Sequence, residues 1–485
     1  MNNKFLTLTL SLVLFITSCK KDIDTDTDTG TTDTTVTPAA SRIDLLKDSV
    51  YLYSKEMYLW QDLIPSYDIF NPRKYTGSTE LESATAVMNG IRALQPLDRF
   101  SFVTTKEASD GLQTGESVDL GFFIKAGSVD FALPIDSVRW FVSYVYDKST
   151  AGAAGVSRGW FINKINNTAI GYDNASVDIL NGVFFGSTNN ASFQFIKPDG
   201  AAVDVNLTKT SFVSNSVLHK SVINTTGKKV GYFVFNQFFG EPSRTELANV
   251  FSYFKTEGIN ELVVDLRYNP GGSTETQDAL ANLIAPASAE NKVMYKYVFG
   301  SNLQQNKFPL LQKKTGYSNN SFTEANNTQT FSNTGSLNLS RVFFIVTGST
   351  ASASELLMNN LKPYMDVKIV GDTTYGKPVG FFPVDIYNYS IYPISFKTVN
   401  SAGNADYYTG FVPDKLTPDG VNRNWGDITE PSLASTLKFI NTGAFRSSAK
   451  NDQSYERQMQ VQEQVKPLSK QLEQNQFSGM FKEKH

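Results

Sequence analysis

Val264-Asp265-Leu266-Arg267-Tyr268-Asn269-Pro270-Gly271-Gly272 is an apolar run that stops at a turn. Glu261 to Leu266 reads as a buried strand, and the Pro and paired Gly end it. Glycine adopts backbone angles closed to other residues and leaves its N–H groups bare, so such a turn can cradle an anion. A tight turn without chemistry reads equally well from these residues alone, while a phosphate loop would need a Gly-Lys-Ser/Thr ending that is absent. Around this stretch, strands and helices alternate from Lys229 to about Leu437. The pattern predicts strands at Val230 to Val234, Arg341 to Val346 and Val367 to Val370, with helices at Arg244 to Thr256, after Gly272 to Leu283, and from Ser352 to Leu361. Repeated strand–turn–helix units describe an α/β domain whose turns gather at one edge of a sheet, where sites form.

Two further turns carry candidate chemistry. Gly348-Ser349-Thr350-Ala351-Ser352-Ala353-Ser354-Glu355 joins an apolar strand to a helix. A Ser at a helix start sits where free N–H groups and the dipole favour developing negative charge. The same Ser352-x-x-Glu355 spacing is also a capping box, which only starts a helix. Thr374-Tyr375-Gly376-Lys377-Pro378-Val379-Gly380 pins a Lys between Gly and Pro ahead of an apolar stretch. Burial would lower its pKa and let it accept a proton, whereas a surface-loop Lys would do nothing of the kind.

Composition excludes several classes. The chain of 485 residues is 40% hydrophobic and 19% charged with a formal net charge of −3, an ordinary globular balance with no basic field for nucleic acid. Its length calls for two or three domains. A single cysteine, Cys19, rules out an intrachain disulfide, and two histidines, His219 and His485, argue against a metal centre; no cofactor is expected.

Residues 1–18 have a basic start, an apolar run from Phe5 to Ile16 and small residues before Cys19, which describes an export signal. That run is shorter than the roughly 20 apolar residues a membrane span needs. Ile16-Thr17-Ser18-Cys19 resembles a bacterial lipoprotein box with Cys19 as the lipidated residue, and the Lys/Asp start after it resembles sorting signals of some Bacteroidetes lipoproteins. Residues 19–40, Thr- and Asp-rich, form a solvated tether. An outer-membrane lipoprotein, facing the periplasm or the cell surface, is the expected location.

Residues 41–105 read as helical, with Leu46, Val50, Tyr53, Met57 and Trp60 on one face. Residues 106–212 read as a β-rich module, residues 213–440 as the α/β domain with a polar inserted loop from Gly300 to Leu337, and residues 441–485 as a polar tail without assignable chemistry.

The three turns, in this order, resemble the C-terminal processing (tail-specific) serine peptidases, bacterial lipoprotein form. The resemblance covers about Ser41 to Leu437 and is strongest from Glu261 to Gly380. It implies a ClpP/crotonase-like catalytic domain with an inserted PDZ-like β domain. It also implies Ser352 as nucleophile and Lys377, 25 residues later, as base. N–H groups of Gly271 or Gly272 and of Ala353 would form the oxyanion hole, and Leu120-Gly121-Phe122 would be the loop that grips a peptide carboxylate. Substrates would be proteins or peptides with free C-termini. Oligomeric state is not legible. Family members carry a Gln four residues after the Lys, where this chain has Phe381, so the group that orients Lys377 is open. His219, in the apparent strand Ser216 to Val222, could serve in a Ser-His variant like that of the tricorn-type relatives; a plain strand histidine is the alternative. Two rival functions stand beside the peptidase: a catalytically weak or inactive peptide-binding lipoprotein on the same scaffold, and a crotonase-type acyl-CoA enzyme, which the export signal argues against.

Overall fold

The structure is a computed structural model that describes residues 40–128 and 138–445, then 460, 463, 465, 467–469, 471–472 and 479–483. Cys19, the expected export signal and residues 19–39 of the expected tether lie outside the described residues. From Arg42 onward the chain forms one compact unit.

The α/β pattern folds as a six-stranded sheet in the order Val217–Thr225, Lys228–Phe235, Glu261–Asp265, Arg341–Val346, Asp366–Gly371, Lys415–Leu416. The first pair is antiparallel and the rest are parallel. Parallel strands are covered on both faces, which is why they read as unbroken apolar runs. Val264, Phe344 and Val346 face the helices Glu241–Glu257, Thr274–Ile284 and Ala353–Leu361, while Val263, Phe343 and Ile345 pack under Pro431–Thr442. The helices Arg42–Met57 and Glu80–Arg92 bury Leu46, Val50, Met57, Val87 and Ile91 in the first of these cores. A capping box between Thr79 and Glu82 starts the second helix.

The segment expected to be β-rich opens on a helix, Lys106–Thr114. A two-stranded stem, Glu116–Asp119 against Thr210–Val213, marks where the module leaves and rejoins the chain. Beyond the stem, Phe122–Ser128, Val138–Val145, Phe161–Ile165, Asn190–Ile196 and Ala202–Thr208 form an antiparallel sheet. With the helix Asn174–Phe184 they enclose a core of their own.

Two polar stretches depart from expectation. Residues 300–337 are not a bare loop: they hold the helices Ser301–Gln304 and Pro309–Thr315, and they bury Leu303, Phe308, Leu311 and Phe322. The tail also contributes structure. Gly479–Phe481 is an inner strand of a second sheet, ordered Gly271–Ser273, Gly479–Phe481, Val379–Phe381, Phe396–Asn400, Val293–Phe299, Thr328–Thr330. Met480 and Phe481 are fully buried there, each contributing about 1.5–3 kcal/mol. A few apolar residues within a Gln-, Lys- and Glu-rich run give no periodic signal, so composition hid them.

Candidate active site

Ser352 stands at the junction of the strand Arg341–Val346 and the helix Ala353–Leu361. It is fully buried, with a left-handed backbone of φ 61° and ψ −108°. A residue with a Cβ holds such angles at a cost of about 1–3 kcal/mol, and only where its surroundings impose them. Here the Thr350 hydroxyl donates to the Leu266 carbonyl at 2.8 Å. The Ala351 N–H donates to the Asn269 carbonyl at 3.0 Å and the Tyr375 N–H to the Thr350 carbonyl at 3.0 Å. Ser352 Oγ has no hydrogen-bond partner among the described residues despite its burial, and a buried hydroxyl in that condition calls for an explanation. The cap reading is realised: Ser352 and Glu355 form a capping box, the Ser352 N–H donating to Glu355 Oε2 at 2.8 Å, while Oγ makes no hydrogen bond of good geometry.

Glu355 joins the second turn to the third. Its Oε2 also accepts from the Lys377 N–H at 2.8 Å, and its Oε1 accepts from the Gly376 N–H at 2.7 Å and the Thr374 hydroxyl at 2.5 Å. The backbones of Ser352 and Lys377 thus hang on one oxygen atom. Burial raises the Glu355 pKa, opposed by these bonds.

Lys377 is fully buried, and burial drives its pKa well below the ordinary lysine value, with the Asp98 and Glu355 charges pulling the other way. Its Nζ lies over the Phe381 ring at 4.2 Å and the Phe100 ring at 4.7 Å from the centroids. The position where the family's Gln was expected therefore supplies an aromatic face. Asp98 orders the segment that brings Phe100 in, accepting from the N–H groups of Phe100 and Ser101, each at 2.9 Å.

The Pro-Gly-Gly turn lies beside Ser352: a Cβ on Gly271 would stand 2.9 Å from Ser352 Cβ and 3.0 Å from the Ala353 nitrogen. Gly271 and Gly272, with φ of 103° and 136°, hold angles only glycine takes easily. The Gly271 N–H is committed to Asn269 Oδ1 at 2.9 Å, which leaves Gly272 as the donor this turn can offer. Ala353 opens its helix, where N–H groups have no intrahelical partner. A buried ion network fixes the turn from behind. Arg267 pairs with Asp265 at 2.6 Å and Glu430 at 2.7 Å, and Tyr268 donates to Asp419 at 2.6 Å. Arg158, from the β-rich module, reaches the Tyr268 hydroxyl at 3.0 Å.

A cleft of about 960 Å³ runs from Phe122, Phe123, Phe184 and Phe185 of that module to Tyr268 and Pro270. Leu120 and Phe122 are buried, and Gly121 takes a φ of 81° with its N–H held by Asp119 Oδ1 at 2.6 Å. His219 lies on the edge strand of the main sheet, its ring against Tyr232 and its Nε2 3.2 Å from Ser221 Oγ. Burial lowers its pKa.

Residues 229–414, which contain all three turns, match peptidase family S41. That α/β segment is thus similar to the S41 peptidases. A solved structure from Bacteroides fragilis NCTC 9343, described as an S41 protease, superposes with a TM-score of 0.63 at 22% identity, covering 84% of this chain and 99% of that one. At that identity the likeness concerns the fold. Among curated relatives, CtpA-like serine proteases of Staphylococcus aureus strain N315 and Staphylococcus saprophyticus are 25% and 23% identical over 314 and 319 residues. Each alignment covers 64% of this chain, which spans about half the length of these relatives, 55% and 56%.

Within the matched residues, Glu355 was visible as a cap residue but not as the shared clamp of two turns. Phe100 and Asp98, which lie ahead of the matched residues, were legible only as the end of a helical region; no local pattern connects them with Lys377.

Proposed function

We propose that the protein is a serine endopeptidase in which Ser352 is the nucleophile and Lys377 its general base. The observation that carries this reading is a buried hydroxyl with no hydrogen-bond partner among the described residues and a buried amine of depressed pKa, their backbones held by one carboxylate oxygen. Neutral Lys377 takes the Ser352 proton as Oγ bonds to the substrate carbonyl carbon. The N–H groups of Gly272 and Ala353 receive the oxyanion, and loss of one such donor costs about 2.7–4 kcal/mol of barrier. The Lys377 ammonium then protonates the leaving amine, the C–N bond breaks, and water releases the acyl group from Ser352. Phe381 and Phe100 confine the amine where an amide would have done so elsewhere.

The β-rich module is read as PDZ-like, presenting substrate tails to the site. Its outer strand Phe122–Ser128 borders the cleft, and an extended peptide can add to such an edge. The Asp119 carboxylate already holds the Gly121 N–H, so an incoming carboxylate has to displace it. Cys19 is read as the lipidated residue of an outer-membrane lipoprotein, and a mass for the purified N-terminal peptide carrying acyl chains on Cys19 tests this.

The test of the chemistry is cleavage of an unstructured protein. Ser352→Ala and Lys377→Ala are each expected to lower the rate roughly 10⁴-fold or more while melting cooperatively. Undiminished cleavage by either variant refutes the assignment.

A further inference from the structure

The slot beside Ser352 is filled by the chain itself. Gly479–Phe481 lies between Gly271–Ser273 and Val379–Phe381, parallel to both, with Gly479 opposite Gly271, Met480 opposite Gly272 and Gly380, and Phe481 opposite Ser273 and Phe381. The Gly479 N–H donates to the Pro270 carbonyl at 3.0 Å. In a parallel ladder of this register the next bond runs from the Gly272 N–H to the Gly479 carbonyl. That N–H is the oxyanion donor of the proposed mechanism. The point where a Gly271 Cβ would stand lies 2.6 Å from the Gly479 oxygen, 2.9 Å from Ser352 Cβ and 3.0 Å from the Ala353 nitrogen. Carbonyl, nucleophile and both proposed donors therefore converge.

Downstream the segment is held firmly. Met480 packs on Gly380, where a Cβ would come within 2.7 Å of it. The Thr274 hydroxyl donates to the Phe481 carbonyl at 3.2 Å, and the Lys482 N–H donates to the Phe381 carbonyl at 3.0 Å. Arg244 pairs with Glu483 at 2.6 Å.

We infer that Gly479–Glu483 sits as a substrate strand in the slot beside Ser352, with the Gly479–Met480 bond facing Ser352, so that the chain keeps its own site closed and a substrate enters by displacing this segment. The inference rests on the reading of Ser352 as nucleophile. It also names the substrate class: an extended peptide with a small residue at the carbonyl that meets Ser352, followed by two apolar residues. Backbone pairing on both sides accepts any sequence, and the pockets of Met480 and Phe481 provide the selection.

Two variants loosen the segment: a chain ending at Ser478, and a full chain with Glu483→Lys, which sets like charges against each other at Arg244. Cleavage of an unstructured labelled protein is expected to rise about tenfold in the first and severalfold in the second, as a mostly closed population opens. A fluorescent peptide of residues 476–484 is expected to inhibit the shortened chain in trans and to bind its Ser352→Ala form far more tightly than it binds the intact protein. Equal rates in all three proteins, or no binding of the peptide to the shortened chain, overturns the inference. Should the shortened chain fail to melt cooperatively, an unchanged rate in Glu483→Lys overturns it alone. Selective peptide binding without cleavage by any form keeps the slot assignment and removes the reading of Ser352.

Discussion

The turn at Ser352 is fixed mainly by main-chain bonds, and the Lys377 amine is enclosed mainly by side chains. Around Ser352, carbonyls and N–H groups of Leu266, Asn269, Thr350 and Tyr375 impose a left-handed residue, and the local sequence of small residues permits it. Around Lys377, the environment includes the rings of Phe100 and Phe381 and the charge of Asp98, two of them contributed from far back in the chain. A nucleophile needs an exact direction, which backbone geometry supplies. A base needs a shifted pKa, which enclosure supplies here.

Glu355 belongs to both turns, so Glu355→Gln breaks the contrast most severely. Whichever way the amide points, its NH₂ faces two donors. A stability loss of about 3 kcal/mol is expected in denaturant melts, together with lost cleavage. A variant as stable as wild type shows that the clamp is dispensable.

Lys377→Met isolates enclosure from reactivity. The folded-state pKa of Lys377 lies below its unfolded value of 10.5, so between the two the unfolded chain binds more protons and wild-type stability rises with pH. The Met variant lacks that slope. Its advantage in Tm is expected to be greatest at and below the folded pKa and to fade as pH approaches 10.5. A pH-independent difference sinks the assignment.

Ser352→Gly tests the backbone side. Relief of the left-handed strain is expected to make it about 1 kcal/mol more stable than Ser352→Ala in denaturant melts. Equal stabilities place the strain elsewhere. The smallest effect is expected for Phe381→Leu. A ring face favours the ammonium by about 0.5–1 kcal/mol, so its loss moves the acid limb of the pH–rate profile down by about half a unit. A shift to higher pH contradicts the cage.

The same contrast explains what was legible in the amino-acid sequence. The alternation from Lys229 to Leu437 and the three turns are local patterns, and the strands and helices follow them because parallel strands need apolar residues on both faces. The clamp by Glu355, the ring of Phe100 and the strand Gly479–Phe481 are long-range pairings, and nothing local announces them. Phe381 read as a missing Gln; in three dimensions it stands over the amine.

The strand Gly479–Phe481 has a consequence for how the protein is made. Its two partners, Gly271–Ser273 and Val379–Phe381, leave the ribosome long before it does. Until residue 481 has been synthesised, both flank an empty gap as unpaired edges, open to wrong pairing. The second sheet gains its inner strand last, so a nascent chain that already holds Ser352 and Lys377 has the slot beside them still unfilled.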